Sequence, residues 1–200
     1  MRAEHSNGAG AKTGNAIPRR RLLGAIWLLP AWWHLGGANP TNQLVSSEPT
    51  NLVTVVRFSP DGEPTGEAAV PKVIKSDAQW RRLLTPEQYW VTRRGVMERP
   101  FAGQFASFRG RGLYTCVCCA NTLFSSQTKY EAGTGWASFW APVATENVRL
   151  RASSGVRHPA VLCVECDAFV GQLFADGPPP THRRYSISSA ALNFREFPRA

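Results

Sequence analysis

The sequence predicts a mainly β domain with an antiparallel sheet core, short helices in front of it and a four-cysteine metal site. From Leu113 onward, short runs rich in β-branched and aromatic residues alternate with Gly, Pro, Asp and Ser, a pattern typical of antiparallel sheets. Two capping-box patterns precede these runs, and two CxxC pairs lie within them. With 200 residues and 43% hydrophobic content, the chain suits one globular domain plus an N-terminal extension.

Residues 1–38 are predicted to be an export signal. Three arginines, Arg19 to Arg21, precede an apolar run from Leu22 to Leu35 that is shorter than the roughly 20 residues of a membrane span. Small residues at 36–38 suit the site at which a peptidase would cleave the signal. Because paired arginines before Leu-Leu resemble the twin-arginine signal, we expect export to the periplasm and no membrane span after cleavage. The alternative is a disordered basic tail followed by an interfacial helix.

The charge distribution argues against a nucleic-acid partner. The formal net charge is +9, but the predicted signal holds five basic residues against one acid, which leaves about +5 for the rest. Arginines there are scattered between acids, whereas nucleic-acid surfaces gather charge along one stripe.

Residues 39–69 are predicted to be a linker with one strand. Residues 39–50 are polar without an apolar period, residues 52–58 (LVTVVRF) favour a strand, and SPDG at 59–62 favours a turn. Two helices follow, because Ser76 with Gln79 and Thr85 with Gln88 match the capping-box pattern. Pro86 suits a first helical turn, and Gly95 suits the end of the second helix. Later strands are predicted at 112–115, 160–162 and 185–188.

Cys116 with Cys119 and Cys163 with Cys166 form two CxxC pairs. Two such turns brought together present four thiolates to one ion, the arrangement that structural zinc prefers. An iron centre of rubredoxin type and paired disulfides are the alternatives. Disulfides suit an oxidising compartment, but the twin-arginine route carries folded proteins, so a zinc site could form before export. The fifth thiol, Cys118, is expected to pack beside the ligands, with a role as nucleophile as the alternative.

Several segments closely resemble the peptide-methionine (R)-S-oxide reductases, between about Val70 and Phe194. They are KSD at 75–77, LLTPEQY at 83–89, YTC at 114–116, LFSS at 123–126, GTGWASF at 133–139 and FADGP at 174–178. The resemblance makes 70–197 the reductase-like domain. It implies two antiparallel sheets that form a barrel-like core, with structural Zn²⁺ on the face away from the substrate pocket.

The resemblance also implies an activity, the reduction of R-methionine sulfoxide, free or in proteins and peptides. In that family a catalytic thiolate attacks the sulfoxide sulfur, acids protonate its oxygen, and thiols then reduce the resulting sulfenic acid. The family motif RYCINSA, whose third residue is the nucleophile, reads RYSISSA at 184–190. Ser186 therefore stands at the nucleophile position, and Ser188 replaces the asparagine that helps to position the substrate.

Other pocket positions depart from the family as well. The family motif HLGH, which supplies two imidazoles, reads FVGQ at 169–172, so Phe169 and Gln172 replace both histidines. His158 and His182 lie in loop-like sequence and do not look like substitutes. The two places where some relatives carry a recycling cysteine read FAG at 101–103 and GTG at 133–135, without sulfur.

Four substrate-binding positions of the family are retained: Trp136, Asp176, Arg184 and Phe194. Each has a structural alternative, since Trp136 and Phe194 could be core residues, Asp176 could cap a turn, and Asp176 with Arg184 could be an ion pair. Three functions are therefore compared. They are a catalytically impaired homologue that binds oxidised methionine or a partner, an active methionine-R-sulfoxide reductase, and a structural zinc module.

Overall fold

The computed structural model describes residues 51–152, 155 and 157–198. The predicted export signal at 1–38 and the polar stretch at 39–50 lie outside the described residues. Across the described part of the chain, no helix combines the length and the apolar character needed to cross a membrane.

The described chain begins with an antiparallel hairpin of β1 (Leu52–Phe58) and β2 (Pro64–Pro71). The predicted strand at 52–58 and the turn after it are confirmed. The prediction of a linker with a single strand is wrong, because β2 pairs with β1 along its whole length. Sequence reasoning missed β2 because its residues are weak strand formers and mostly exposed, so that pairing with β1 rather than intrinsic preference makes it a strand.

Helices α1 (Asp77–Leu83) and α2 (Pro86–Arg94) follow, each with the predicted capping box. The Ser76 and Thr85 hydroxyls accept the N–H groups of the residues three positions later, whose side chains reach back to the cap amides. As expected, α2 ends at Gly95, which adopts the left-handed conformation (φ 72°).

Nine further strands form two antiparallel sheets. They are β3 (Gly112–Cys116), β4 (Thr122–Ser125), β5 (Lys129–Tyr130), β6 (Ala137–Phe139), β7 (Val148–Arg151), β8 (Ala160–Cys163), β9 (Phe169–Phe174), β10 (Arg184–Ile187) and β11 (Leu192–Glu196). One sheet has the order β5-β6-β10-β9-β8-β7, and the other has the order β11-β3-β4. The mainly β, antiparallel fold with two short helices is thus confirmed, and the hairpin is a third sheet.

Aromatic side chains from both sheets form the core between them. Phe124 of β4 stacks on Phe139 of β6 at 4.6 Å between ring centroids, and Tyr114 of β3 meets Phe139 edge-on at 5.0 Å. Tyr185 of β10 packs on Phe124 from the same side. These contacts join the sheets, because each ring buries a large apolar surface against the opposite one.

Candidate functional site

The four predicted metal ligands come together in the fold. The Sγ atoms of Cys116, Cys119, Cys163 and Cys166 all lie within 4.8 Å of one another. The Sγ atoms of Cys116 and Cys166 are 3.6 Å apart, and those of Cys119 and Cys163 are 3.5 Å apart. We call these four residues the metal cluster.

The cluster has the size of a tetrahedral thiolate site. Zinc–sulfur bonds of about 2.3 Å place neighbouring sulfurs about 3.8 Å apart, which agrees with the observed spacing. All five cysteines are free thiols, so the disulfide alternative is not formed. The four residues present could therefore hold a metal ion, with all coordination positions supplied by the protein.

The surroundings of the cluster supply hydrogen-bond donors and cations. The amide of Asn121 donates to Cys163 Sγ over 3.7 Å, and the guanidinium of Arg93 donates two hydrogen bonds to the Cys166 carbonyl oxygen (3.0 and 3.1 Å). Four thiolates with one divalent ion carry a formal charge of about −2, which nearby cations stabilise. Cys118 contacts the thiols of Cys116 and Cys166 and packs beside α1 and α2, as expected for a residue next to the ligands.

A second group of residues lies across the six-stranded sheet. Strand register places Tyr130, Ser138, Ser186, Gln172 and Ala160 directly opposite one another on β5, β6, β10, β9 and β8. Residues opposite each other in a ladder share one face of a sheet. We call this row the Ser186 face, and it contains the position that the family reserves for its nucleophile.

A β-bulge brings the second replaced histidine position onto the Ser186 face. Leu162 and Ala160, two residues apart on β8, lie opposite Phe169 and Gln172, three residues apart on β9, so Val170 is the extra residue. Phe169 and Gln172 therefore project from the same face despite their odd spacing. Phe169 is buried in the hydrophobic core and packs near Gly95 at the end of α2. Apolar and amide groups thus occupy both positions where the family places imidazoles.

The Ser186 hydroxyl is sealed within the fold. The residue is 1% exposed, and its Oγ atom has no hydrogen-bond partner in the described structure. Ser138 on the neighbouring strand differs, since its hydroxyl donates to the Trp136 carbonyl oxygen over 3.2 Å. Ser186 lines none of five surface cavities with volumes of about 140 to 390 Å³. No base among the described residues is placed to take its proton.

Asp176 and Arg184 form the ion pair that sequence analysis gave as an alternative to substrate binding. The guanidinium of Arg184 donates from Nε to Oδ1 (2.9 Å) and from Nη2 to Oδ2 (2.8 Å) of Asp176. These hydrogen bonds hold the pKa of Asp176 below its ordinary value. Arg184 is buried and stacks 4.1 Å from the centre of the Phe174 ring, whereas the Asp176 side chain is largely exposed.

The other two retained positions have different surroundings. Trp136 precedes β6 and is half-buried, and its indole N–H donates to the Glu98 carbonyl oxygen over 3.1 Å. Phe194 of β11 packs in an aromatic group with Phe108 and Tyr114, at 4.8 and 5.1 Å between centroids. The structure thus brings Arg184 and Asp176 to the side of the sheet that carries Ser186, while Phe194 is partly buried and packs against the core.

Two placements on this side of the sheet were not predicted from the sequence: that of Tyr130 on β5, and the contact of His158 with Phe174. The Tyr130 hydroxyl is buried without a partner among the described residues, and burial raises its pKa. His158 lies in a loop, as expected, but its ring stacks 4.0 Å from that of Phe174. The register of the short strand β5 places Tyr130, and the path of the loop before β8 places His158. Neither feature can be predicted from the neighbouring residues in the sequence.

Comparison with known proteins agrees with these features. A model of the SelR domain matches residues 84–196. The chain is similar to proteins named peptide methionine sulfoxide reductase MsrB from three organisms. With that of Hahella chejuensis it shares 47% identity over 125 residues, 62% of this chain and 90% of the relative. With the protein of Herminiimonas arsenicoxydans it shares 44% identity over 129 residues, 64% of this chain and 94% of the relative. With that of Methanosarcina barkeri it shares 44% identity over 125 residues, 62% of this chain and 88% of the relative.

Proposed function

This chain belongs to the peptide-methionine (R)-S-oxide reductase family, and on that premise we propose that it is a catalytically impaired member that keeps a structural zinc ion. The names of its relatives support a methionine sulfoxide reductase function for the family. The impairment is our own inference. The observation that carries it is the buried, unpartnered hydroxyl of Ser186 at the nucleophile position.

The reaction needs sulfur at this position. A thiolate attacks the sulfoxide sulfur, the oxygen is protonated, methionine departs, and the attacking sulfur keeps the oxygen as a sulfenic acid that a thiol can reduce. A serine hydroxyl is weakly nucleophilic without a base, and its oxygen cannot be oxidised and reduced in this way. Ser186 therefore cannot complete the cycle even in a substrate complex.

Proton delivery is changed as well. Protonation of the departing oxygen requires an acid close to the sulfoxide. The side chains of Phe169 and Gln172 on the Ser186 face do not titrate, and the Ser188 hydroxyl donates to the Met97 sulfur over 3.4 Å. Four altered positions thus affect the nucleophile, the placement of the substrate and the delivery of a proton, which supports relaxed chemistry rather than a single exchange.

Ligand recognition is the part of the proposal that the retained residues support. Trp136 offers an apolar wall, and Arg184 offers a buried cation whose position Asp176 fixes. We propose that these groups bind oxidised methionine in a protein or peptide. The metal cluster would hold zinc and stabilise the fold, with no step of the reaction assigned to it.

Turnover and binding are tested together. Purified protein is incubated with a peptide that carries R-methionine sulfoxide and with dithiothreitol, while tryptophan fluorescence follows binding. We expect saturable binding without methionine formation above background. Clear turnover would establish an active reductase. The absence of both binding and turnover would favour a structural zinc module.

Restoring residues tests which change limits the chemistry. Ser186→Cys alone should restore little activity, because the acids remain absent. Ser186→Cys combined with Phe169→His, Gln172→His and Ser188→Asn should restore at least about tenfold more, as general acid catalysis contributes about 10²-fold or more. Near-normal rates from the single change would contradict the argument on proton delivery.

Export is a separate proposal that rests on the sequence of residues 1–38. We propose a periplasmic location through the twin-arginine route. Cell fractionation of the tagged full chain should place it in the periplasm, and replacement of both Arg19 and Arg20 by Lys should retain it in the cytoplasm. Equal periplasmic amounts of both proteins would exclude this route.

A further inference from the structure

The hairpin β1–β2 lies before the segment that matches the SelR domain, which begins at residue 84. The alignments with three relatives cover 88 to 94% of their length but only 62 to 64% of this chain. The hairpin is nevertheless attached to the rest of the structure by specific contacts. These contacts converge on the metal cluster.

The first contact is made by Asn147, a fully buried residue between β6 and β7. Its Oδ1 atom accepts the Val56 N–H (2.7 Å), and its Nδ2 donates to the Val56 carbonyl oxygen (2.9 Å), so its amide pairs with β1 as another strand would. The same Nδ2 donates to the carbonyl oxygen of Thr122 (2.7 Å). The Asn147 carbonyl oxygen accepts the N–H of Val164, which lies between two metal ligands (3.2 Å).

The second set of contacts reaches the turn that carries Cys163 and Cys166. Arg57 of β1 lies 3.5 Å from the carboxylate of Glu165, which is buried, and Lys72 lies 2.5 Å from that of Asp167. The N–H of Val73, just after the hairpin, donates to the Glu165 carbonyl oxygen (2.8 Å). The hairpin and its exit thus hold the main chain and both acidic side chains of this turn.

We infer that the hairpin β1–β2 is a lock on the metal cluster, which must detach from Asn147 and Glu165 before the turn at 163–166 can open and release zinc. The inference rests on the assignment of zinc to these four cysteines. Because a metal–thiolate bond exchanges only when the ligand can move away, contacts that hold the ligand's main chain slow release even where affinity changes little.

The contacts differ in how strongly they hold the hairpin in place. Arg57 is half-exposed, so its ion pair with Glu165 contributes little by itself. The pairing of Asn147 with Val56 joins a fully buried side chain to a half-buried strand residue and satisfies two backbone groups at once, so it should dominate. Removal of the Val56 N–H is therefore the sharpest perturbation of the lock.

The test measures zinc transfer to an excess of a chromogenic chelator. Val56→Pro removes the N–H that Asn147 accepts. The matched control is Thr54→Pro, because Thr54 lies two residues earlier on the same edge and its N–H makes no hydrogen bond to a loop or side chain in the described structure. We expect at least about tenfold faster transfer from Val56→Pro than from Thr54→Pro, with both proteins folded by near-ultraviolet circular dichroism. Equal transfer rates in the two variants would overturn the inference.

A milder variant guards against unfolding. Arg57→Gln should speed zinc transfer about twofold to threefold, whereas Arg82→Gln, at an exposed arginine without an ion pair among the described residues, should leave the rate unchanged. Absence of zinc from the purified protein would overturn the zinc assignment together with the lock. Bound zinc with unchanged rates in both Arg57→Gln and Val56→Pro would overturn the lock alone.

Discussion

The buried side chain of Asn147, beside the metal cluster, differs from the buried hydroxyls of Ser186 and Tyr130 on the Ser186 face. Beside the cluster, the Asn147 side chain makes three hydrogen bonds that join the hairpin, β4 and the loop before β7. On the other face, the hydroxyls of Ser186 and Tyr130 are buried without partners in the described chain. A satisfied buried polar group fixes one arrangement of the chain, whereas an unsatisfied one lowers stability by about 1–3 kcal/mol. The comparison teaches that the buried amide of Asn147 holds the fold together, whereas the buried hydroxyls of Ser186 and Tyr130 do not.

The largest expected effect comes from removal of a metal ligand. Cys163→Ser should abolish zinc binding and unfold the domain, because apparent binding energies of about 10–16 kcal/mol are coupled to folding in structural zinc sites. Elemental analysis should fall from about one zinc per chain to none, and circular dichroism should lose the β signal. Cys118→Ser is the matched control and should keep both zinc and fold. A folded, zinc-free Cys163→Ser protein would contradict the view that the metal cluster holds the fold together.

The next effect is expected at Asn147. Asn147→Leu keeps the approximate volume but leaves the Val56 and Thr122 backbone groups without partners, which should lower the free energy of unfolding by about 3 kcal/mol or more. Urea unfolding of zinc-loaded protein measures this change. A loss below about 1 kcal/mol would mean that this network is not structural.

Ser186→Ala should have a smaller effect of the opposite sign. The change removes a buried hydroxyl without a partner, so the free energy of unfolding should rise by about 0.5–1 kcal/mol. Ser138→Ala is the matched control on the adjacent strand, where a hydrogen bond is lost and a decrease of about 1 kcal/mol is expected. Destabilisation by Ser186→Ala would show that the Ser186 hydroxyl has a hydrogen-bond partner in solution. Ser186 and Asn147 would then differ less than the structure indicates.

The smallest effect concerns the Arg184–Asp176 pair. The pKa of Asp176 is lowered by the hydrogen bonds from Arg184, so the folded-state pKa lies below that of the unfolded chain. The pair then contributes stability above the unfolded pKa, and this contribution is lost as pH falls through the folded pKa. The effect is modest, because Asp176 is largely exposed. Carboxyl titration by nuclear magnetic resonance should show a lowered pKa that Arg184→Gln moves back toward its ordinary value. An ordinary pKa in the unmodified protein would rule out this pair in solution.

The sequence predicts the local features of the fold well and its long-range partners poorly. Capping boxes at Ser76 and Thr85 and the end of α2 at Gly95 depend on a few neighbouring residues, and all are confirmed. The four metal ligands were found from their spacing, because each CxxC pair fits one tight turn. In contrast, β2 is a strand only because it pairs with β1, and the role of Asn147 depends on Val56, 91 positions earlier in the chain. No local pattern encodes such a contact.

The candidate site shows the same division. The exchange of Cys for Ser at 186 is visible in the sequence, but the loss of every hydrogen-bond partner for its hydroxyl is visible only in the packed sheet. Likewise, Asp176 and Arg184 could be assigned either to a ligand or to each other until their two hydrogen bonds were seen.

The bulge at Val170 decides whether the side chains at 169 and 172 can act together. In a regular strand, residues three apart point to opposite sides, but here positions 169 and 172 lie opposite β8 residues that are only two apart. Two histidines introduced there would stand about 7 Å apart between their Cα atoms, by the rise of roughly 3.3 Å per strand residue, and would point the same way. Imidazoles restored at both positions would therefore stand on one side of the sheet, as two acids that act on the same substrate oxygen require.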